Sequence, residues 1–212
     1  MPEFLKDYGT EAQCEQVLET ARWPEGFRCP RCAETAHYVL RDGTRKVFQC
    51  TACRHQASLI AGTIFQGTKL PLTTWFLAIY LISQAKTGLS ALALRRQLGV
   101  SYPTAWLIHH KLMQVMADRE ERYLLEGKVQ VDDAYLGGER TGGKVGRGSE
   151  SKVPFIAAVS LTDEDRPLRV RLTSVSGFTS EAVSAWAKAN VVSGSVVFSD
   201  GLACFGAVTD AG

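Results

Sequence analysis

The chain has 212 residues, of which 45 % are hydrophobic and 22 % are charged, and its formal net charge is +2. This composition is ordinary for a globular protein with one large domain or two to three small ones, and it excludes a chain dominated by low-complexity sequence. The longest apolar run, Trp75 to Ile82, is too short for a membrane-spanning helix, which needs about 20 residues. Since the N-terminus also lacks a basic-then-apolar signal pattern, we expect a cytoplasmic protein without a membrane partner.

The first predicted elements are a short helix over residues 11–20 and a zinc-binding segment over residues 27–60. Two cysteine pairs define that segment, each pair with two residues between its members and the pairs separated by seventeen residues: Cys29, Cys32, Cys50 and Cys53. This spacing is typical of a zinc ribbon, because each close pair presents two thiolates to one ion and two pairs complete a tetrahedron. Reduced cytosolic thiols favour structural Zn²⁺ over disulfides.

The residues between the cysteine pairs favour a β-hairpin. Val39, Val47 and Phe48 are β-prone, and Asp42-Gly43 is a turn signal between them. A segment of this size cannot bury enough apolar surface to fold alone. We therefore expect zinc to supply the folding free energy, on the order of 10–16 kcal/mol in small finger peptides. Cys14 and Cys204 lie outside the pairs and are expected to be ordinary, partly buried cysteines.

Three helices are predicted next, over residues 72–84, 89–98 and 102–116. Pro71 suits the start of the first helix, Gly99 can end the second, and Ser101 can cap the third. A helix, a short glycine-containing turn and a second helix form the helix-turn-helix arrangement. Its second helix would present side chains to a DNA major groove, with Tyr102, Thr104, His110 and Lys111 as the candidates. A helical hairpin packed into a core is the alternative.

Positive charge is concentrated in the ribbon and in the helical region. Residues 22–54 carry seven Lys or Arg against three acids, and residues 86–111 carry four cations and no acid. Such clusters in consecutive modules suggest a phosphate-facing surface, although solvated faces would have the same composition. The predicted partner is double-stranded DNA, and the predicted DNA-binding residues in these two regions are Arg45, Lys46, Arg54, Tyr102, Thr104 and Lys111.

After the charged segment 118–126, the sequence pattern changes from successive helices to predicted strands and helices. Strands are predicted over residues 128–136, 153–161, 168–175 and 195–199, with a helix over residues 179–189 and the start of another helix after the last strand. The first three strands can form antiparallel hairpins. The fourth returns through a helical crossover, so it can lie parallel to the first. These elements predict a mixed α/β sheet.

Three acidic residues lie in or at the end of predicted strands, where a carboxylate is energetically unfavourable. Asp132 and Asp133 interrupt an apolar strand, and Asp200 ends another. Two buried acids on adjacent strands would repel by about 4 kcal/mol at 4 Å with an effective dielectric constant of 20, and a divalent cation would remove that repulsion. Carboxylate oxygens without a nearby His or Cys favour Mg²⁺ or Mn²⁺ over zinc. The residues alone leave an equal alternative, in which Asp200-Gly201 is a turn and the other two form a strand-edge pair.

Taken together, the motifs resemble those of bacterial insertion-sequence transposases with an N-terminal zinc ribbon and a DDE catalytic core of the RNase H-like, ISXO type. The resemblance covers nearly all of the chain from about residue 25. It rests on both cysteine pairs, Ala61-Gly-Thr63-Ile-Phe65, Leu70-Pro-Leu72, Trp75-Phe76, Val131-Asp132-Asp133-x-Tyr135-x-Gly137-Gly138, the glycine-rich basic loop and Ser199-Asp200-Gly201.

The resemblance implies an enzyme, a DDE-type transposase that binds the ends of a mobile element and cuts and joins DNA strands with Mg²⁺ or Mn²⁺. Asp132 and Asp200 would be the first two members of the catalytic triad and would hold the metal. The family more often has Asp-Glu where this chain has Asp132-Asp133, so Asp133 is a third catalytic candidate, and which of the pair holds the metal stays open. The implied partners are terminal inverted repeats, target DNA and further copies of the chain, and the implied location is the bacterial nucleoid.

The loop Gly137 to Gly148 contains six glycines and three cations: Arg140, Lys144 and Arg147. Glycines let a backbone approach a ligand closely, and the cations can clamp DNA phosphate. An exposed hairpin loop without a ligand is the alternative.

The expected domain order is a lead-in helix (1–26), a zinc ribbon (27–60), a helical DNA-binding region with a helix-turn-helix (61–126) and an incomplete RNase H-like catalytic domain (127–212). The third metal-site residue of the family is expected beyond residue 212. We therefore expect a transposase cut short, with impaired activity. The alternative function is a non-enzymatic zinc-ribbon and helix-turn-helix DNA-binding protein that regulates or inhibits transposition.

Overall fold

The structure is a computed structural model that describes residues 1–43, 45–137 and 152–211. The chain forms two compact units, Met1–Met116 and Ala117–Gly212. The finer division into four domains stays a prediction. Among the described residues, no helix combines the length and the apolar character that crossing a bilayer requires.

The first unit begins with two helices, α1 (Pro2–Tyr8) and α2 (Glu11–Arg22). Thr10 and Gln13 form a capping box at the start of α2, each side chain accepting a hydrogen bond from the other residue's backbone amide. Helix α2 extends two residues past its predicted end and stops at Trp23. Helix α1 is absent from the sequence prediction, because seven residues give too little apolar periodicity to identify a helix.

The zinc-ribbon segment forms a three-stranded antiparallel sheet in the order β1-β2-β3. Its strands are β1 (His37–Asp42), β2 (Arg45–Cys50) and β3 (Gln56–Ser58). Phe48 is fully buried at the centre of a small aromatic core, where its ring stacks on Phe27 and meets Trp23 edge-on. The predicted hairpin between the cysteine pairs is confirmed as β1 and β2.

The remainder of the first unit contains three helices, α3 (Leu72–Gln84), α4 (Ala91–Leu98) and α5 (Tyr102–Glu120). The carboxylate of Glu11 accepts hydrogen bonds from the backbone amides of Leu72 and Thr73, so α2 caps the start of α3. Gly99 ends α4 in the left-handed conformation with φ of 67°. The predicted order of helix, glycine-containing turn and helix is therefore present, and α5 continues four residues further than expected.

The second unit contains a four-stranded mixed sheet. Its strands are β4 (Lys128–Leu136), β5 (Val153–Leu161), β6 (Pro167–Ser174) and β7 (Val196–Ser199), and its helices are α6 (Ser180–Asn190) and a 3₁₀ helix (Ala203–Ala211). The sheet order is β6-β5-β4-β7, with β7 parallel to β4 and the other pairs antiparallel. This is the predicted topology: three strands in sequence, then a helical crossover back to the first.

The core of the second unit lies on one face of this sheet. Alternate residues of β4 and β5 pack there against α6 and the 3₁₀ helix, among them Val129, Val131, Ile156 and Ala158, and Trp186 of α6 is buried with them. The opposite face of the sheet carries the remaining alternate residues, and several of its apolar side chains are exposed, among them Val170, Leu172 and Phe198. The sheet therefore has one buried face and one open face.

Candidate metal centres

The four cysteines of the ribbon come together at one point. Their sulfur atoms all lie within 4.8 Å of one another, and the Sγ–Sγ distances are 3.6 Å for Cys29 and Cys53, 3.5 Å for Cys32 and Cys50, and 3.4 Å for Cys32 and Cys53. Sulfurs bound tetrahedrally to zinc at about 2.3 Å are about 3.8 Å apart. The cluster therefore has the ligand number, chemistry and size of a structural zinc site.

Each cysteine pair is held in a tight turn. The amide of Ala33 donates to the carbonyl of Cys29, and the amide of Cys50 bonds the carbonyl of His55. Ala33 and Arg54, each four residues after the first cysteine of its pair, both adopt positive φ, 63° and 59°. This uncommon backbone conformation at the same position of both turns reverses the chain and aims the thiols inward.

The acid–base properties of the thiols also favour a cation. Burial raises the pKa of the Cys29 thiol, but hydrogen bonds from the backbone amides of Arg31 and Cys32 and from neighbouring thiols lower that pKa to about 7. The amide of Glu34 lowers the pKa of Cys32, whereas hydrogen bonds with the thiols of Cys53 and Cys50 raise it to about 12. The ionised form is thus favoured at Cys29 and disfavoured at Cys32, and a bound cation would favour the thiolate form of its ligands.

The second cluster consists of three carboxylates in the second unit. Asp132 and Asp133 lie in β4, and Asp200 directly follows β7; one carboxylate oxygen from each lies within 4.8 Å of the others. The parallel register pairs Val131 of β4 with Ser199 of β7. Asp132 and Asp200 are therefore the next residues along these two neighbouring segments. The oxygen of Asp200 also accepts a hydrogen bond from the amide of Leu202 at 3.2 Å, which fixes the turn after β7.

The register assigns each carboxylate to a face of the sheet. Val131 belongs to the core face, so Asp132 lies on the open face together with Gln130, and Asp133 lies on the core side. Because Asp200 follows Ser199 as Asp132 follows Val131, Asp132 and Asp200 share the open face. Alternation along β4 alone does not tell which of Asp132 and Asp133 lies on the same face as Asp200. The register between β4 and β7 shows that it is Asp132.

The carboxylates differ from expectation in their burial. We expected buried acids, but Asp132 and Asp200 are exposed and Asp133 is half-buried. The reason is that the open face lacks a covering layer among the described residues and that Asp200 lies beyond the end of β7. Exposure reduces the repulsion between the acids well below the value expected for a buried pair. The distances still suit one hard cation, whose ligands would be carboxylate oxygens.

A cavity of about 490 Å³ borders this cluster on the open face. Besides Asp132 and Asp200, its walls include Gln130, Phe198 and Val159. The sequence prediction missed Gln130 and Phe198 as site neighbours. A signal for both was present, since each lies two residues before an acid in its strand and therefore points to the same side of the sheet.

The predicted DNA-binding residues of the first unit differ in their surroundings. Arg45 and Arg54 are exposed. Lys46 is half-buried and forms an ion pair with Glu19. The three cations therefore remain on the ribbon surface, with the charge of Lys46 partly neutralised.

Helix α5 presents only part of its predicted DNA-facing set. Tyr102 is exposed, and the hydroxyl of half-buried Thr104 shares a hydrogen bond with Ser101. The ammonium of Lys111 donates to the carbonyl of Ile64 at 3.3 Å and lies 5.8 Å from the ring centre of Trp75. Lys111 is thus directed at the helical core and not at the exposed face, a placement that depends on tertiary packing. Arg140, Lys144 and Arg147 lie outside the described residues.

Comparison with known proteins agrees with this arrangement. Residues 9–56 match the transposase zinc-ribbon domain, and residues 124–212 match the ISXO2-like transposase domain. A protein in transposable element ISH50 of Halobacterium salinarum is 30 % identical over 135 residues, which are 62 % of this chain and 44 % of the relative. The chain thus matches less than half of that relative's length. No solved structure matches the chain.

A four-cysteine ribbon and a carboxylate-bearing mixed sheet, on residues that match these two domains, define a transposase of the zinc-ribbon type. The chain belongs to the IS1595 family of insertion-sequence transposases.

Proposed function

We propose that the chain acts in DNA transposition, binding the terminal inverted repeats of its element and cutting and joining DNA strands at the carboxylate cluster. The observation that carries the proposal is the convergence of Asp132, Asp133 and Asp200 within 4.8 Å, on the part of the chain that matches an ISXO2-like transposase domain. An RNase H-like sheet is the fold that we propose for this unit.

Asp132 and Asp200 are the proposed holders of Mg²⁺ or Mn²⁺, because both lie on the open face beside the cavity. When bound, the ion would neutralise phosphate charge and favour ionisation of an attacking water or 3′-hydroxyl. The two carboxylates would hold the ion at this edge of the sheet, next to the position proposed for the scissile phosphate. Asp133 is proposed to support the site from the other face.

The first unit is proposed to hold the element ends. Arg45 and Arg54 on the ribbon, together with Tyr102 and Thr104 at the start of α5, are the proposed DNA contacts. Cations of this kind position a protein on phosphates, whereas groove-facing side chains read sequence.

Strand cleavage on a DNA fragment that carries the flanking ends of the element tests this proposal. With Mg²⁺ or Mn²⁺, the chain should nick at the repeat boundary, and Asp132→Asn and Asp200→Asn should lower the rate at least 10³-fold. Asp163→Asn, which removes an exposed acid from the β5–β6 turn, is the matched control and should cleave normally. Cleavage that survives both active-site substitutions would contradict the assignment.

A second candidate function is supported by the separate organisation of the first unit, which has its own cores and contains both the cysteine cluster and helices α4 and α5, the proposed helix-turn-helix. Such a unit could bind the repeats without cutting them, as a regulator or inhibitor of transposition. Specific binding to the repeats without metal-dependent nicking would favour this function.

A further inference from the structure

The first unit contains a cavity of about 490 Å³ that is separate from the cysteine cluster. Its walls come from α2, from the strands β2 and β3 with the two residues that follow β3, and from the segment 68–73, which leads into α3. This volume lies within the range of about 300–1,000 Å³ that is usual for pockets that hold small molecules. We call it the α2–α3 cavity.

One part of the cavity wall is apolar. It consists of two buried and two half-buried side chains: Leu59, Leu72, Ile60 and Leu70. Thr68 fixes the adjoining loop, because its hydroxyl accepts hydrogen bonds from the indole of Trp75 at 2.9 Å and from the amide of Leu70 at 3.0 Å. An apolar wall of this kind suits a flat, uncharged ring.

Two carboxylates, Glu11 and Glu15, form another part of the wall. The oxygens of Glu11 accept the backbone amides of Leu72 and Thr73. Glu15 is paired with Arg41. Since an ionised carboxylate offers about four acceptor positions, both acids keep the capacity to accept a hydrogen bond from a ligand. Their charge disfavours a phosphate inside the cavity and favours an uncharged group with N–H donors.

Cations line the part of the cavity that is open to solvent. Arg45 and Lys69 are exposed, whereas half-buried Lys46 is paired with Glu19. Across the part of the chain that the structure describes, neither Arg45 nor Lys69 has an ion-pair partner. Exposed cations without an acidic partner suit phosphate binding. The cavity thus combines an apolar, acceptor-lined interior with a cationic opening, which is the reverse of the polarity that a bound inorganic anion requires.

We infer that the α2–α3 cavity takes one nucleotide of bound DNA that is turned out of the double helix, with its base inside and its phosphate at Arg45 and Lys69. Cytosine is the base that fits best, because carboxylates accept hydrogen bonds from its N4 amino group. Thymine, the other pyrimidine, has a carbonyl oxygen at that position, which the two acids would repel. The inference rests on the proposed function, in which the first unit holds the element ends.

Titration of the zinc-loaded, isotope-labelled full chain with deoxycytidine monophosphate (dCMP), followed by NMR, tests the inference. The dissociation constant should be on the order of 0.1–1 mM, and the largest shifts should include the amides of Leu72 and Thr73, which are bonded to Glu11. The thymidine nucleotide, dTMP, should bind about fivefold or more weakly. Inorganic phosphate should leave these amides unshifted up to about 10 mM.

Substitutions separate the phosphate contact from the base contact. Lys69→Ala should weaken dCMP binding about threefold or more and leave the binding of deoxycytidine, which lacks the phosphate, unchanged. Glu11→Gln should reduce the preference for dCMP over dTMP, because a neutral amide repels the thymine carbonyl less. Lys6→Ala removes an exposed cation outside the cavity and is the matched control for Lys69→Ala. Zinc content and circular dichroism identify a variant that fails to fold, and Lys69→Ala decides the test if Glu11→Gln does so.

Fluorescence anisotropy distinguishes a nucleotide of DNA from a free nucleotide. A duplex with one unpaired cytosine should bind about threefold or more tightly than the same duplex when fully paired, because an unpaired base leaves the stack at the least cost. Lys69→Ala should lose most of this gain. A duplex whose affinity does not change with the unpaired cytosine would overturn the inference, since the site would then serve a free nucleotide.

The titrations would overturn the inference if dCMP caused no shift at about 10 mM, if dTMP bound as well as dCMP, or if Lys6→Ala and Lys69→Ala had equal effects. None of these measurements needs strand cleavage, element ends or a divalent cation at the carboxylate cluster. Their failure is therefore distinguishable from failure of the proposed function, which the cleavage experiment measures.

Discussion

Asp132 and Asp133 are adjacent in β4, yet their side chains leave opposite faces of the sheet. Asp132 shares the open face with Asp200, so these two oxygens can bind one ion without distortion of the strand. We predict that Asp132→Asn and Asp200→Asn each weaken Mn²⁺ binding at least tenfold, and that Asp133→Asn weakens it less than threefold. Calorimetric titration with Mn²⁺ measures the three affinities, with Asp163→Asn as the control.

An equal loss of affinity in Asp133→Asn and Asp132→Asn would mean that the ion lies between the two faces at the strand edge. The assignment of Asp132 as the principal ligand on β4 would then be wrong.

Glu15 is a buried carboxylate, only 5 % exposed, and its two oxygens accept hydrogen bonds from the guanidinium of Arg41 at 2.5 and 2.7 Å. Hydrogen bonding to this carboxylate raises the pKa of Arg41. Removing the guanidinium leaves the buried acid without its partner, although Arg41 itself is about half exposed and part of the effect is screened. We predict that Arg41→Ala destabilises the first unit by about 1–3 kcal/mol.

Urea unfolding followed by tryptophan fluorescence measures this change. Arg45→Ala, on the same hairpin, removes an exposed cation for which the structure gives no ion pair among the described residues, and it should change stability by less than about 0.5 kcal/mol. Equal effects of the two substitutions would show that the Glu15 pair has no special role.

At the scale of the secondary-structure elements, the turn between helices α4 and α5 depends on one glycine. Gly99 has φ of 67°, and a Cβ at this position would meet no heavy atom within 4 Å. Any effect of Gly99→Ala is therefore backbone strain, which we predict at about 1 kcal/mol. Thermal unfolding measures it, with Gly206→Ala as the control, because that glycine also has free space but no positive φ. No difference between the two variants would contradict the prediction.

The glycine-rich loop after β4 is proposed to clamp DNA phosphates through Arg140, Lys144 and Arg147. If each cation displaces one counterion, the triple alanine variant should bind DNA more weakly and reduce the slope of log affinity against log salt by about 2–3. Fluorescence anisotropy at several salt concentrations measures the slope. An unchanged slope would show that the loop does not touch phosphate.

Element boundaries were predictable where a local chemical signal marks them. Pro71 and Leu72 mark the start of α3, and Gly99 with Ser101 marks the turn before α5; the structure confirms each position. The crossover from the first to the fourth strand of the second unit also followed from the element order. Helix α1 has no such signal.

Side-chain environments were less predictable, because they depend on residues distant in sequence. Lys111 turns toward Ile64 and Trp75, which lie more than thirty residues earlier in the chain. The exposure of Asp132 depends on which face of β4 packs against α6. The cysteine cluster could be predicted because its ligands occur as two close pairs, whereas the shared face of Asp132 and Asp200 required the register of β7.

The two units of the whole molecule have separate hydrophobic cores. Loss of zinc should therefore act on the ribbon and spare the sheet of the second unit. We predict that Cys50→Ser abolishes zinc binding and removes amide protection from β1 to β3, and leaves protection in β4 and β5 unchanged. Hydrogen exchange with mass spectrometry measures both regions in one experiment, and Cys14→Ser is the control for loss of a buried thiol outside the cluster. Full zinc content in Cys50→Ser would contradict this prediction.

Strand β7 is four residues long and lies at an edge of the sheet, where β4 is its one neighbour among the described strands. A slip of one residue along β4 would bring Ser199, a hydroxyl, opposite Asp132 and would move the carboxylate of Asp200 to the far side of the sheet. Among the described residues, such a slip is opposed by the backbone hydrogen bonds between β7 and β4 and by the packing of α6 and the 3₁₀ helix, which precede and follow β7 in the sequence. Insertions or deletions of a single residue between Asn190 and Val196 should therefore abolish cation binding in a protein that still folds.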